Sequence, residues 1–160
     1  MTTTLTPGTL TATVTEAVTI NGVDHGSTNT KTYTNVIAEI TKRVITITTA
    51  ESTIATFSAA VASAGHYVAA NVRYIRFTNK DDTNFITLTF RNQDNDEAAI
   101  KLDFGQSFIW NGDVNGGLVD VLNATQDADA ASDTALGDLT NIQADANTND
   151  CDLEIFIASV

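Results

Sequence analysis

Apolar and polar residues alternate along several short segments of this chain, most clearly within residues 72–110. One apolar face recurs at every second residue in two successive runs: Ile86, Leu88 and Phe90, then Ala98, Ile100, Leu102 and Phe104. This period of two is typical of a half-buried antiparallel strand. Polar turns rich in Asp and Asn separate the runs, so this block predicts consecutive short strands joined by tight turns.

The N-terminal part shows the same alternation, with Thr at the polar positions. Leu10, Ala12 and Val14 alternate with three threonines, and β-branched Thr suits the exposed face of a strand. A polar segment follows over residues 21–29. It opens with Asn21-Gly22, which is a strong signal for a β-hairpin.

Two segments in the middle of the chain give weaker signals. Residues 36–48 predict one long strand or two joined strands. The apolar parity changes around Lys42 and Arg43, which suggests a bulge or bend at that point. Residues 52–64 are mostly small, and their composition fits either a short helix or a loosely packed strand and loop.

The C-terminal third predicts a short strand at residues 118–122 and an acidic, Ala-rich stretch at 123–138, either a loop or a weak surface helix. Two brief apolar runs follow, at 139–142 and 152–157, and the second is the candidate closing strand. Many short strands without an alternating helix pattern favour an all-β fold, an antiparallel β-sandwich or jelly roll with long acidic C-terminal loops. We expect one domain spanning residues 1–160, with residues 1–15 as an extended N-terminal arm.

The charge excludes some classes of partner. The net charge is −12, and all 8 basic residues lie at or before Lys101. Nucleic acid and anionic membrane surfaces are therefore not expected to bind, because both need clustered Lys and Arg. No segment has the roughly 20 apolar residues that span a bilayer, and the N-terminus lacks the features of a signal peptide. We expect synthesis in a cytoplasm without translocation.

The residue types that carry chemistry are few. His25 and His66 lie in polar, turn-rich segments, and Cys151 alternates with acidic residues as a core-facing strand residue would. A single Cys permits no intrachain disulfide and no cysteine-based zinc site. None of the nucleotide-binding, metalloprotease or hydrolase motifs occurs. We therefore expect no enzyme, no catalytic residues, no metal and no cofactor.

Two binding hypotheses stay open beside that expectation. Oxygen-rich loops can hold Ca²⁺, although the ordered EF-hand pattern is absent. The candidate acidic groups are Asp94, Asp96 and Glu97 in one loop and Asp127, Asp129 and Asp133 in another. Aromatic side chains can line a sugar-binding groove, although core packing explains the same residues more simply. These aromatics are Phe104, Phe108, Trp110, Tyr74 and Phe77.

The block at residues 72–110 also resembles a module of small virion proteins from tailed double-stranded DNA phages, notably those of marine bacteria. The resemblance rests on VRYIRFTN, the turn DDTN, the strand FITLTF and the segment IKLDFGQSFIW. The opening TATVTEAVTINGVDHGSTNT and the closing LEIFIASV look like the ends of such proteins. The resemblance brings no catalytic or binding residues with it, and residues 123–138 have no counterpart in it.

This resemblance implies a β-sandwich structural protein of the virion, made in the host cytoplasm and present in many copies. Its partners would be other virion proteins, either the major capsid protein or tail subunits, and it would form homo-oligomers. The leading expectation is a decoration or cement protein on the outer capsid surface. The alternatives are a tail or neck accessory protein and, from another class, a carbohydrate- or receptor-binding module. The Thr-rich N-terminal region is one candidate for the partner-binding surface, because an alternating strand can add to a neighbour's sheet.

Overall fold

The structure is a computed structural model, and it describes residues 5–58, 63–118 and 139–160. Almost all regular structure in these residues is β, together with a 3-10 turn at Ala69–Asn71 and two helical residues, Gly117 and Leu118. The strands are β1 Gly8–Glu16, β2 Thr19–Ile20, β3 Val23–Asp24, β4 Ser27–Ile37, β5 Glu39–Ile47, β6 Ser52–Phe57, β7 His66–Tyr67, β8 Val72–Asn79, β9 Ile86–Asn92, β10 Glu97–Leu102, β11 Ser107–Asn111, β12 Leu139–Ala146 and β13 Cys151–Ser159.

Two sheets form the body of the protein. One has the order β11-β8-β13-β5 and the other β10-β9-β12-β6-β7, and every pairing is antiparallel except that of β6 with β7. We number the eight strands β5, β6 and β8 to β13 in chain order. In this numbering the four-stranded sheet has the strand order 6-3-8-1. The five-stranded sheet, without the short strand β7, has the order 5-4-7-2. This is the connectivity of a jelly roll. The predicted all-β sandwich is thus confirmed.

The core lies between the two sheets, where their inward faces meet. Ile75 and Phe77 of β8 and Leu153 and Ile155 of β13 pack in one cluster with the opposite sheet, which contributes Leu88 and others. Alternate residues of these strands point to the core, as the period of two predicts. The predicted closing strand is confirmed as β13, which lies in the interior of its sheet between β8 and β5.

Several predictions about individual residues are wrong. Phe104 does not continue the apolar face of β10, because the strand ends at Leu102 and Phe104 is 53% exposed in the following turn. Ala98 does lie on the predicted apolar face, opposite Phe90, but it is exposed because β10 is an edge strand. The bulge suggested at Lys42 and Arg43 does not occur, since β5 pairs with β13 in continuous register through both residues.

Other predictions are resolved only in part. The segment 52–64, whose composition fits either a short helix or a strand and loop, contains the strand β6 over Ser52–Phe57. The strand predicted at 118–122 is wrong at its first residue, because Leu118 is fully buried in a helical conformation. Residues 119–122 lie outside the described residues. The acidic stretch predicted at 123–138 lies outside them too.

A β-ribbon, defined here as residues 8–37, precedes the sandwich. Its strands β1 and β4 pair along their length, and the short pair β2 and β3 forms its tip. Asn21 and Gly22 at the tip have φ of 52° and 80°, as a type I′ turn requires. The hairpin predicted from this dipeptide is confirmed. The ribbon packs on the outer face of the four-stranded sheet, the face that points away from the core.

Candidate interaction surface

The base of the ribbon is fastened to the outer face of the four-stranded sheet by a second, smaller apolar cluster. Tyr33 and Ile37 of β4 pack there against Tyr74 of β8 and Ala158 of β13. The Tyr33 side chain is fully buried, and its hydroxyl donates a 3.0 Å hydrogen bond to the Gly112 carbonyl oxygen. The base of the ribbon is therefore part of the folded body.

The route of the ribbon across the sheet follows from the residues that line a shallow cleft beside it. This cleft, of about 220 Å³, brings Val14 of β1 and Asn29 of β4 beside Tyr74 of β8 and then Ile109 and Asn111 of β11. Because β11 is an edge strand, the ribbon leaves the sheet over the β11 edge.

Beyond that edge the ribbon is exposed on both faces. We call residues 15–28 the distal ribbon. All of these residues are exposed except Gly26, which is half-buried. Its apolar residues Val18, Ile20 and Val23 keep 44%, 55% and 57% of their surface exposed. An isolated two-stranded ribbon is marginally stable in water, and its backbone edges remain open to pairing. The distal ribbon therefore has the properties of a contact element.

The face of the ribbon that points away from the sheet carries most of its threonines. Cross-strand pairs place Thr11 opposite Thr32, Thr13 opposite Thr30, and Thr15 opposite Thr28. The hydroxyls of the last two pairs lie 3.2 Å and 3.3 Å apart. This face is polar and points away from the sheet, while the apolar positions of β1 point toward it.

A second apolar area lies on the outer face of the sheet at its other edge, on β5. Ile40 and Val44 are each 57% exposed there, with the exposed Lys42 between them. Strand β5 carries apolar residues on both faces, because Ile45 and Ile47 point to the core. The change of apolar parity around Lys42 and Arg43 is the sequence signal of this two-faced strand rather than of a bulge.

The charges around this β5 area are organised about Glu154 of β13. Its carboxylate pairs with the Arg76 guanidinium at 2.5 Å. That hydrogen bond, reinforced by the positive charges of Arg76, Lys42 and Lys80, holds the pKa of Glu154 below its ordinary value. The outer face of the sheet thus gathers cations in a chain whose net charge is −12.

The residues considered for catalysis are not brought together. His25 is exposed in the ribbon, and His66 lies in β7 on the five-stranded sheet. Cys151 points into the core as predicted, and burial raises the pKa of its thiol, which opposes reactivity. Within residues 5–58, 63–118 and 139–160, no group of three or more His, Cys, Asp and Glu side chains is placed to hold a metal ion.

The aromatic residues proposed for a sugar groove do not line one surface. Phe108 and Trp110 contact Phe90 on the core side of the sheets in tilted and edge-on arrangements, with ring centroids 5.4 Å and 5.6 Å from that ring. Phe77 is fully buried in the core. Tyr74 faces the ribbon on the outer side, where its ring contacts Phe156 edge-on. Core and ribbon packing therefore account for all of them except the exposed Phe104.

The acidic turn between β9 and β10 is organised by its own side chains. The Asn92 side-chain oxygen accepts hydrogen bonds from the backbone amides of Asp94 and Asp96, at 2.9 Å and 2.8 Å. The Glu97 carboxylate pairs with the Arg91 guanidinium. The other acidic group, Asp127, Asp129 and Asp133, lies outside the described residues.

Comparisons with models of known families, with curated proteins and with solved structures found no match to this chain. Among the residues that the structure describes, no helix has the length and apolar character needed to cross a membrane.

Proposed function

We propose that this chain is a structural component of a phage virion, a decoration protein that binds the outer surface of the capsid. The observation that carries the proposal is the distal ribbon. It holds apolar side chains and open strand edges away from the folded body, which is how a protein presents a surface to another subunit. Its role is to join protein surfaces rather than to transform a small molecule.

Three further features support this function. Jelly rolls are common in viral capsid proteins and lectins, so the fold suits the proposal. The strand-and-turn pattern of residues 72–110 resembles phage virion modules and forms four consecutive strands of this jelly roll, β8 to β11. The net charge of −12 favours solubility before assembly and complements basic patches on a partner.

The abundance of the chain in purified phage particles tests this proposal. We expect quantitative mass spectrometry to give a copy number that matches the capsid lattice. A much lower number, comparable with that of tail proteins, would favour a tail or neck accessory protein instead. Absence from the particles would overturn both virion functions.

A shortened ribbon tests whether the ribbon takes part in assembly. Glu16 and Ser27 are cross-strand partners, so residues 17–26 can be replaced by Asn-Gly to close the hairpin with a two-residue turn. This variant keeps the buried base of the ribbon, whereas deletion of residues 2–15 would remove β1 and uncover Tyr33. We expect the shortened chain to remain folded and to be depleted from particles. Undiminished incorporation would exclude the ribbon from assembly.

A further inference from the structure

The two exposed apolar areas lie at opposite edges of the four-stranded sheet. The ribbon leaves over β11, and Ile40 and Val44 lie on β5 at the far edge. Within one chain the tip therefore points away from the β5 area. Two copies placed side by side, the β11 edge of one next to the β5 edge of the other, would bring the two areas together.

The length of the distal ribbon suits such an arrangement. From Thr15 to the turn at Asn21 the ribbon extends about 20 Å at the usual rise of a strand. Neighbouring strands of a sheet are about 4.8 Å apart, so this reach is enough to cross the first strands of an adjacent sheet. The base of the ribbon already covers the same kind of surface, the outer face of its own four-stranded sheet.

The charges of the two areas are complementary. The distal ribbon carries Glu16 and Asp24 and contains no Lys or Arg. Around the β5 area, the three cations Lys42, Arg76 and Lys80 outnumber the carboxylates of Glu154 and Asp152, and the Asp152 carboxylate accepts a hydrogen bond from the Thr46 hydroxyl. An acidic, apolar tip and a cationic, apolar sheet face attract each other and orient the contact.

We propose that the distal ribbon of one copy binds the outer face of the four-stranded sheet of a second copy, on Ile40, Lys42 and Val44. The contact is heterologous, because the donor surface and the receptor surface differ. Repetition of the contact gives a closed ring or an open chain of copies. The inference rests on the role given to the ribbon under the proposed function and identifies its partner as a second copy of this chain.

Sedimentation velocity of the purified full-length chain tests this arrangement. We expect an oligomer of the wild-type chain. A tip variant, Ile20→Ser with Val23→Ser, and a receptor variant, Ile40→Ser with Val44→Ser, should each sediment as the 17.0 kDa monomer. Phe104→Ser is the matched control, because Phe104 is similarly exposed but lies in the β10–β11 turn, and it should leave the oligomer intact.

Mixing the two monomeric variants makes the test specific. The tip variant keeps a working receptor surface and the receptor variant keeps a working tip, so the mixture can form one contact and should reach twice the monomer mass. A mixture that stays monomeric would overturn the inference. A wild-type chain that is monomeric at about 0.1 mM, a hundredfold above a micromolar dissociation constant, would also overturn it.

Incorporation into particles separates this inference from the proposed function. A chain that is abundant on particles but monomeric in solution contradicts only the inference. A chain that assembles through its ribbon but is absent from particles contradicts only the proposed function.

Discussion

The sandwich and the ribbon use the same alternating pattern, with opposite results for their apolar side chains. Ile75 in β8 and Ile20 in β2 both lie on strands, yet Ile75 is fully buried and Ile20 is 55% exposed. The exposure of the two side chains differs because different structures lie opposite the two strands. The sandwich closes one sheet over another, whereas no second layer covers the distal ribbon among the residues that the structure describes.

The ribbon itself contains both situations. At its base, Leu10 and Ala12 pack with Tyr33 over the outer face of the sheet. A few residues farther along the same strand, Val14 is already 43% exposed. The pattern of apolar residues continues past the edge of the surface that it covers. The apolar side chains of the distal ribbon are therefore left without the cover that the sheet gives to the base.

The largest expected effect comes from making the same substitution in both regions. Ile75→Ala removes side-chain volume from the closed core and should lower the free energy of unfolding by about 2–5 kcal/mol. Ile20→Ala removes the same atoms from an exposed position and should change it by about 0.5 kcal/mol or less. Chemical denaturation under conditions in which the chain is monomeric gives both values. Equal losses would mean that the ribbon is as tightly packed as the body.

How far the sequence predicts this fold depends on whether a feature is local. The alternation of residues 72–110 and the Asn21-Gly22 turn act between near neighbours, so strands and the hairpin could be read directly. The order of the strands could not, because β13 pairs with β5 across more than a hundred residues. That pairing is decided by how whole faces pack, and a single alternating segment does not contain this information.

The candidate site was harder to predict for the same reason. A Thr-rich N-terminal strand was recognised as a possible contact surface, but its folding back onto the outer face of the sheet depends on Tyr74 and Ala158, which are distant in sequence. Phe104 was assigned to an apolar face because its parity is right, yet the turn at Asp103 ends the strand before it. Parity predicts a face only while the strand continues.

A smaller effect is expected where the ribbon is fastened to the body. Tyr33→Phe keeps the buried ring and removes the hydrogen bond to the Gly112 carbonyl, which should lower the free energy of unfolding by about 1 kcal/mol. Thr30→Val is the control within the same strand, because its hydrogen bond to Thr13 is exposed and its loss should cost less. Denaturant unfolding of both variants gives the comparison. If Tyr33→Phe costs no more than Thr30→Val, this bond does not anchor the ribbon.

The smallest effect depends on pH and compares one carboxylate from each sheet. The pKa of Glu154 is lowered, chiefly by its hydrogen bond to Arg76, so its contribution to stability is present above its ordinary pKa of 4.5 and is lost as the pH falls through the lower folded value. Burial raises the pKa of Asp145 on β12, and Glu51 adds to the shift, so ionised Asp145 is unfavourable at neutral pH.

Glu154→Gln should therefore lower the free energy of unfolding at neutral pH, and Asp145→Asn should raise it. Both differences should disappear in acid, because there the wild-type carboxyls are protonated. Unfolding measured across this pH range checks both signs, and a pH-independent difference for Glu154→Gln would show that the cationic outer face does not act on this carboxylate.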